Sequence, residues 1–210
     1  QKYGIYNYQN MMTLNDFEKI LIKSYEFGIN SIDTAQSYES EKLLGQIGVK
    51  EFEITTKITI QNDMSQNKSI IPKLVDNSLE NLKIDYISNL LLHNPLCLKN
   101  TNGEEIIESL MNEKNQGKIK KIGISIYGIP ELEELLGIFN PDVVQFPYNI
   151  FDQRMEDTGL LNKLKSLSID RQCRSIFLQG LLLQTSNKNN YFKRWSDLFN
   201  RWYTWIEENN

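Results

Sequence analysis

Short β-prone runs alternate along this chain with longer segments whose apolar residues recur at helical spacing. The runs that predict strands are INSIDT, FEITTK, YISNLLLH, IKKIGIS, DVVQF and CRSIFLQ, at residues 29–34, 52–57, 86–93, 119–125, 142–146 and 173–179. Helices are predicted just before the first run and at residues 40–48, 71–84, 104–117, 129–139 and 159–169. Six strands separated by helices are typical of βαβ units and predict a parallel sheet.

No low-complexity linker or long block of like charge interrupts the sequence, so we expect one domain over residues 1–210. The polar stretch QTSNKNN at residues 184–190 predicts a mobile loop. A helix is predicted after it. Its apolar stripe, which we expect to pack in the core rather than to form a lid or an oligomer contact, is Trp195, Leu198, Phe199, Trp202, Trp205 and Ile206.

Composition narrows the class of partner. A net charge of -4, with 40% hydrophobic and 24% charged residues, offers no electrostatic attraction for nucleic acid or an anionic membrane. No apolar run approaches the roughly 20 residues that span a bilayer, and the first ten residues lack the apolar core of a signal peptide. One histidine and two distant cysteines, Cys97 and Cys173, give no zinc-site spacing. We therefore expect a cytoplasmic protein whose partners are small molecules.

The main functional signal is the set of polar residues that terminate the six runs. They are Asp33, Lys57, His93, Ser125, Gln145 and Gln179. In a parallel barrel or a doubly wound sheet, the carboxyl ends of the strands lie on one face, and ligands bind there. We therefore expect these side chains to contribute to one site.

Asp33, Tyr38, Lys57 and His93 form a chemically coherent set. A free tyrosine, with a pKa of about 10, is a poor proton donor or acceptor at neutral pH, but an adjacent ammonium such as Lys57 favours its phenolate. Asp33 is suited to keep a buried Lys57 protonated. His93 is suited to hydrogen-bond a carbonyl oxygen or to relay a proton. The set indicates general acid and base chemistry at a carbonyl or alcohol.

Each of these residues also has an ordinary structural interpretation. Asp33 with Thr34 is a suitable cap for the next helix. Tyr38 suits a surface, and Lys57 suits a strand end whose stem packs while its ammonium reaches water. A neutral His93 can be satisfied by one backbone hydrogen bond. Their occurrence together, at or beside successive strand ends, favours a site.

These residues lie in segments that match a known family. The segments are GINSIDTAQSYESEKLLG, ITTK, NLLLHNP, GKIKKIGISIY, DVVQFPYNIFDQR and RSIFLQGLLL, in this order along the chain. Over most of its length the sequence resembles the aldo-keto reductases, in particular bacterial members. The resemblance implies a TIM (β/α)8-type barrel and reversible, NAD(P)(H)-dependent reduction of aldehydes and ketones.

The resemblance also implies roles for individual residues. Tyr38 would be the general acid in reduction, and His93 would orient the carbonyl. Asp33 and Lys57 would tune the phenol. The implied cofactor is NADPH or NADH, with NADPH favoured, and the implied partner is a small carbonyl compound. The residues implied to bind the cofactor are Ser125, Gln145, Phe177, Gln179 and Gly180.

The chain departs from the family pattern in three places. Tyr38 is followed by Glu39-Ser40-Glu41, without the usual glycine, so we expect a somewhat different Tyr38 geometry. Ile126 follows Ser125 where many members have asparagine, which removes one amide from the carboxamide pocket. About six of the eight β/α units can be placed. We therefore expect an incomplete barrel that lacks the first and last strands, either in a chain truncated at both ends or with the missing strands supplied by rearrangement or by a partner.

Two other functions stay open beside carbonyl reduction. A non-catalytic relative would bind a nucleotide weakly, serve as a sensor or interaction subunit, or be an inactive fragment, and a pure binding module would need no Tyr38 and Lys57 pair. A barrel lyase or isomerase would use Lys57 to form a Schiff base. The complete set of four polar residues favours the reductase.

Overall fold

A computed structural model of the chain describes residues 13–61, 70–184 and 190–209. These residues contain one sheet of six parallel strands, which follow one another in chain order: β1 (Ser31–Asp33), β2 (Glu53–Ile58), β3 (Ile87–Leu92), β4 (Ile119–Ser125), β5 (Val143–Pro147) and β6 (Asp170–Arg174). The predicted parallel sheet is confirmed. The first five strands lie within two residues of their predicted ends.

Helices connect the strands: α1 (Leu14–Glu26), α2 (Glu41–Ile47), α3 (Ile70–Leu82), α4 (Gly103–Asn115), α5 (Ile129–Leu136), α6 (Arg154–Asp157), α7 (Leu160–Ser166) and α8 (Ser196–Asn209). Short 3₁₀ helices occur at Gln36–Tyr38, Pro95–Lys99, Leu181–Leu183 and Asn190–Trp195. A capping box between Thr13 and Asp16 begins α1, and Gly48 ends α2 with a φ of 95°. None of the helices in the described ranges is long and apolar enough to cross a membrane.

The largest apolar cluster lies between the central strands and the helices that cover them. Strands β3 and β4 contribute Ile87, Leu90, Leu92, Ile119, Ile122 and Ile124 to it. Parallel strands that are covered on both faces are apolar almost throughout, so their polar residues require a separate explanation.

The close contact between β4 and β5 explains why residue 123 in β4 is a glycine. A Cβ at this position would lie 2.3 Å from the carbonyl oxygen of Val143 on β5.

The sixth strand differs from its prediction. It covers Asp170–Arg174 and not residues 173–179, so Gln179 does not end a strand. The β-prone run turns away because Ser175, Leu178 and Gln179 have φ values of 59°, 48° and 56°, in the left-handed region that a strand cannot contain. The polar sequence of β6 is tolerated because β5 is its one partner among the described strands.

The aromatic stripe of the last helix is also less buried than expected. Phe199 is the one buried residue of α8, whereas 53% of Trp205 is exposed. The rings pack mainly against one another, with Trp202 and Trp205 stacked at a centroid distance of 5.4 Å. The prediction of a core stripe is therefore wrong for most of its residues. Most of the predicted loop at residues 184–190 lies outside the described residues.

Candidate active site

The centre of the site is an ion pair between adjacent strands. Asp33 is the last residue of β1, and Lys57 lies near the end of β2. The Lys57 Nζ donates to Asp33 Oδ1 at 2.7 Å, to Asp33 Oδ2 at 2.8 Å and to the carbonyl oxygen of Thr34 at 2.8 Å. Only 1% of the Lys57 side chain is exposed, against 46% of the Asp33 side chain. The ammonium is thus enclosed by protein, while its counter-charge faces the open side of the site.

Burial and charge act in opposite directions on Lys57. Loss of hydration lowers the pKa of the ammonium, and the Asp33 carboxylate only partly opposes this effect. The nearby Arg174 guanidinium lowers this pKa further. A lysine with a lowered pKa releases its proton more readily to a neighbouring base. Lys57 is therefore suited to exchange a proton with an adjacent phenolate.

Tyr38 lies beside this ammonium, on the 3₁₀ helix Gln36–Tyr38. Its ring centroid is 5.3 Å from the Lys57 Nζ, and 41% of the residue is exposed. Glu39, which follows it, has a φ of 61°, so a residue with a Cβ takes a left-handed conformation in the tight turn. The missing glycine noted in the sequence therefore does not prevent the turn. Tyr38 therefore lies beside the ion pair and is partly exposed.

His93 follows β3 and completes the group. Its ring packs edge-on against Tyr38 at a centroid distance of 5.7 Å, and its Nδ1 is 3.5 Å from the Ser37 hydroxyl. Its backbone N–H donates to the carbonyl oxygen of Ile58 at 2.8 Å. Burial lowers the pKa of His93 below its ordinary value of 6.5, and the charges of Lys57 and Arg174 lower it further. The imidazole is therefore neutral at pH 7 and able to donate one hydrogen bond.

Two buried side chains on β4 and β5 extend the site. Ser125 and Gln145 are paired in register, and the Ser125 hydroxyl donates to Gln145 Oε1 at 3.2 Å. The Gln145 Nε2 donates to Asp33 Oδ1 at 2.8 Å. A chain of hydrogen bonds thus leads from Ser125 through Gln145 and Asp33 to Lys57. The structure therefore brings five of the six strand-end residues into one neighbourhood.

The other residues that were predicted to bind the cofactor lie apart from this series of hydrogen bonds. Phe177, Gln179 and Gly180 occupy a turn after β6, where the Gly180 N–H donates to the carbonyl oxygen of Phe177 at 3.0 Å. Gly180 has a φ of 86°, and Phe177 is exposed. The residue of this region whose charge acts on Lys57 and His93 is Arg174, which ends β6. The sequence did not identify it, because the sixth strand was predicted too far along the chain.

A buried carboxylate behind the site was also missed. Glu41 at the start of α2 accepts hydrogen bonds from the Thr56 hydroxyl at 2.6 Å and the Ser78 hydroxyl at 2.9 Å. The Gln36 Nε2 donates to the same Ser78 hydroxyl at 2.8 Å. These bonds fix the turn that carries Tyr38 against α3 and β2. The available signal was Ser78, a polar residue on the otherwise apolar face of a predicted helix.

Comparisons with known proteins agree with this architecture. A model of the aldo/keto reductase family matches residues 3–209. The methylglyoxal reductase DkgB of Salmonella typhi is 38% identical over 123 residues, which are 56% of this chain and 45% of that protein. The glyoxal reductase of Bacillus subtilis is 31% identical over 189 residues, which are 86% of this chain and 64% of that protein.

A solved structure shows the same arrangement of strands. The aldo-keto reductase AKR11C1 of Bacillus halodurans, in its apo form, superposes with a TM-score of 0.66 at 26% identity, over 82% of this chain and 59% of that one. The chain spans about half the length of the first curated relatives that it matches. The six strands are accordingly an incomplete (β/α)8 barrel, as predicted. Because the family model matches almost every residue, the chain belongs to the aldo/keto reductase family.

Proposed function

We propose that the site catalyses reversible, NAD(P)H-dependent reduction of an aldehyde or ketone to an alcohol. The observation that carries the proposal is the bidentate pair of Asp33 and buried Lys57 beside Tyr38 and a neutral His93. A binding module has no need of a buried ammonium with a lowered pKa next to a phenol. Methylglyoxal and glyoxal reductases among the relatives support small carbonyl compounds as the substrate class.

Each of the four residues has a defined part in the proposed reaction. Tyr38 gives its phenolic proton to the carbonyl oxygen as negative charge develops there. The Lys57 ammonium stabilises the phenolate that remains and resupplies a proton, while Asp33 holds this ammonium in place. The neutral His93 donates a hydrogen bond to the carbonyl oxygen and so fixes its position. A positioned general acid of this kind contributes about 10²- to 10⁴-fold in rate.

The polar residues of β4 and β5 fit a nicotinamide carboxamide. Ser125 and Gln145 are buried, adjacent and able both to donate and to accept, as an amide requires. When bound, NADPH or NADH supplies the hydride, and we favour NADPH. Phe177, Gln179 and Gly180 are proposed to contact the rest of the cofactor. We also propose a cytoplasmic location and small-molecule partners without nucleic acid, in keeping with the net charge of -4.

The test compares two tyrosines with similar surroundings. Tyr38 and Tyr86 are both 41% exposed, and each has a lysine ammonium over its ring, Lys57 at 5.3 Å and Lys120 at 3.6 Å. Tyr38→Phe is expected to lower kcat/KM for methylglyoxal at least 100-fold, and Tyr86→Phe to change it less than twofold. Oxidation of NADPH is followed at 340 nm.

Cofactor binding separates this function from its alternative. Titration of NADPH fluorescence is expected to give the same Kd for both variants and the unsubstituted chain, because the Tyr38 hydroxyl acts on the carbonyl. If Tyr38→Phe keeps more than half of the activity, Tyr38 is not the acid. If the chain binds neither NADPH nor NADH, the non-catalytic alternative is favoured.

A further inference from the structure

The guanidinium of Arg174 lies at the open end of β6 on an aromatic support. Its Nη2 donates to the carbonyl oxygen of Ile126 at 2.9 Å, and its Nη1 is 3.4 Å from the Ser175 hydroxyl. Its Cζ stands 4.2 Å from the ring centroid of Tyr127, which is 65% exposed. The arginine is only half-buried. The contacts therefore hold the group in place, while the residue as a whole keeps part of its surface exposed.

Strand register places this cation opposite Lys57. The Gln172 Nε2 on β6 donates to the Thr55 hydroxyl on β2 at 3.1 Å, so these two side chains meet inside the curved sheet. Arg174 and Lys57 each follow two residues later on the same strands, and alternate residues of a strand share one face. Both cations therefore lie in the next layer towards the carboxyl ends. The effect of Arg174 on the pKa values of Lys57 and His93 agrees with this placement.

This layer holds two cations and one carboxylate partner. Asp33 binds Lys57 with both of its oxygens. Within residues 13–61, 70–184 and 190–209, no carboxylate oxygen lies within 4.0 Å of Arg174, although Arg154 has a bidentate partner in Asp152. Glu131, in the first turn of α5, accepts the backbone N–H of Tyr127. Hydrogen bonds to described residues use two of the five N–H donors of a guanidinium.

We propose that Arg174, supported by Tyr127, binds an acid group on the carbonyl substrate, so that the site selects aldehydes or ketones that carry a carboxylate. This inference rests on the proposed carbonyl reduction and specifies its substrate class. The planar fork of a guanidinium matches a carboxylate with two parallel hydrogen bonds, and stacking on Tyr127 orients the fork. An incoming carboxylate would also balance the charge beside Lys57.

The test uses a pair of substrates that differ in one charge. The compounds are 4-carboxybenzaldehyde and methyl 4-formylbenzoate, with Arg174→Gln, Arg174→Lys and the control Arg171→Gln at the exposed start of the same strand. The unsubstituted chain is expected to prefer the acid at least tenfold in kcat/KM. Arg174→Gln is expected to remove this preference. The quantity compared is the acid-to-ester ratio, because the effect of the lost charge on Lys57 and His93 is common to both substrates. Arg171→Gln is expected to keep the preference, and Arg174→Lys to keep part of it.

Two outcomes overturn the inference while carbonyl reduction stands. One is an acid-to-ester ratio that is the same in the unsubstituted chain and in Arg174→Gln, with an unchanged Kd for NADPH. The other is an unchanged ratio with a Kd for NADPH raised tenfold or more, which would assign the guanidinium to a cofactor phosphate. Circular dichroism checks folding, and Arg174→Lys replaces Arg174→Gln in these comparisons if the latter does not fold.

A separate measurement covers a failure of the proposed function. If the unsubstituted chain reduces neither compound, carbonyl reduction fails, and 4-(hydroxymethyl)benzoate is titrated against the arginine Nε–H signals in NMR. A saturable shift of the Arg174 signal, absent with the methyl ester of the same alcohol, supports the anion site. An unshifted signal overturns it.

Discussion

Replacing Asp33 by asparagine leaves a buried ammonium without its counter-charge. In the structure Lys57 is enclosed, and its three acceptors are the two Asp33 oxygens and the Thr34 carbonyl. Asparagine keeps one oxygen near Lys57 but removes the negative charge. We expect Asp33→Asn to lower the free energy of unfolding by about 2 to 5 kcal/mol at pH 7.

Both limits of this range follow from the environment of the pair. Removing one partner of a fully buried ion pair costs about 3 to 5 kcal/mol, and water at the half-exposed Asp33 reduces the lower limit to about 2 kcal/mol. Lys57 can instead lose its proton. From an ordinary pKa of 10.5, this costs about 4.8 kcal/mol at pH 7, at about 1.36 kcal/mol per pH unit. Deprotonation therefore sets the upper limit.

Urea unfolding, followed by tryptophan fluorescence, measures the difference. The control is Asp170→Asn, which breaks the exposed pair of Asp170 with Lys121 and is expected to cost less than about 0.5 kcal/mol. Asp33 raises the pKa of Lys57, so without it this pKa is lower still in the folded state. Between that pKa and 10.5, the unfolded chain therefore binds more protons than the folded chain. The stability of Asp33→Asn therefore rises with pH in this window. A loss no greater than that of the control, or a gap to the unsubstituted chain that does not narrow from pH 7 to 10, would refute the reasoning.

Three further predictions concern the supports of the site. Glu41→Ala leaves the hydroxyls of Thr56 and Ser78 without their buried acceptor and is expected to cost about 2 to 4 kcal/mol in urea unfolding; a loss below about 1 kcal/mol would contradict it. Gly123→Ala places a Cβ 2.3 Å from a carbonyl oxygen of β5 and should lower stability by about 1 to 3 kcal/mol, with an unchanged melting temperature as the contrary result. Because the pKa of His93 is lowered from 6.5 by folding, the unfolded chain binds a proton below pH 6.5 that the folded chain does not. The free energy of unfolding should therefore fall as the pH is lowered from 6.5 to the folded-state pKa of His93, and His93→Gln should remove this part of the pH dependence. The same pH dependence in His93→Gln and in the unsubstituted chain would contradict the prediction.

The sheet could be predicted from the sequence because its strands are short apolar runs between periodic helices. The same reasoning failed at β6, where the strand is DRQCR and the more apolar run after it forms a turn. Apolar content does not reveal that Ser175 and Leu178 adopt left-handed conformations. The shift of the strand also concealed Arg174, since a residue inside a predicted strand does not stand out as its terminus.

The site was predictable where chemistry limits the choice of partner. A lysine in an apolar strand requires an anion, and Asp33 ends the preceding strand, so their contact follows from elementary electrostatics. Glu41 was harder to predict, because its partners Thr56 and Ser78 come from two other elements and meet only in the folded chain. The burial of the aromatic residues of α8 was predicted wrongly, because helical spacing predicts which face of a helix is apolar but not what packs against that face.

The outer strands of the described sheet have a consequence for the behaviour of the chain at high concentration. β1 is only three residues long, and β6 carries Asp170, Arg171 and Arg174. A long, uncharged edge offers unpaired backbone groups to a strand of another molecule, which is how aggregates begin. A short edge gives little to pair with, and a charged edge makes dehydration costly. Substituting valine or threonine for the charges of β6 would therefore create an aggregation-prone edge, even though such residues favour strands.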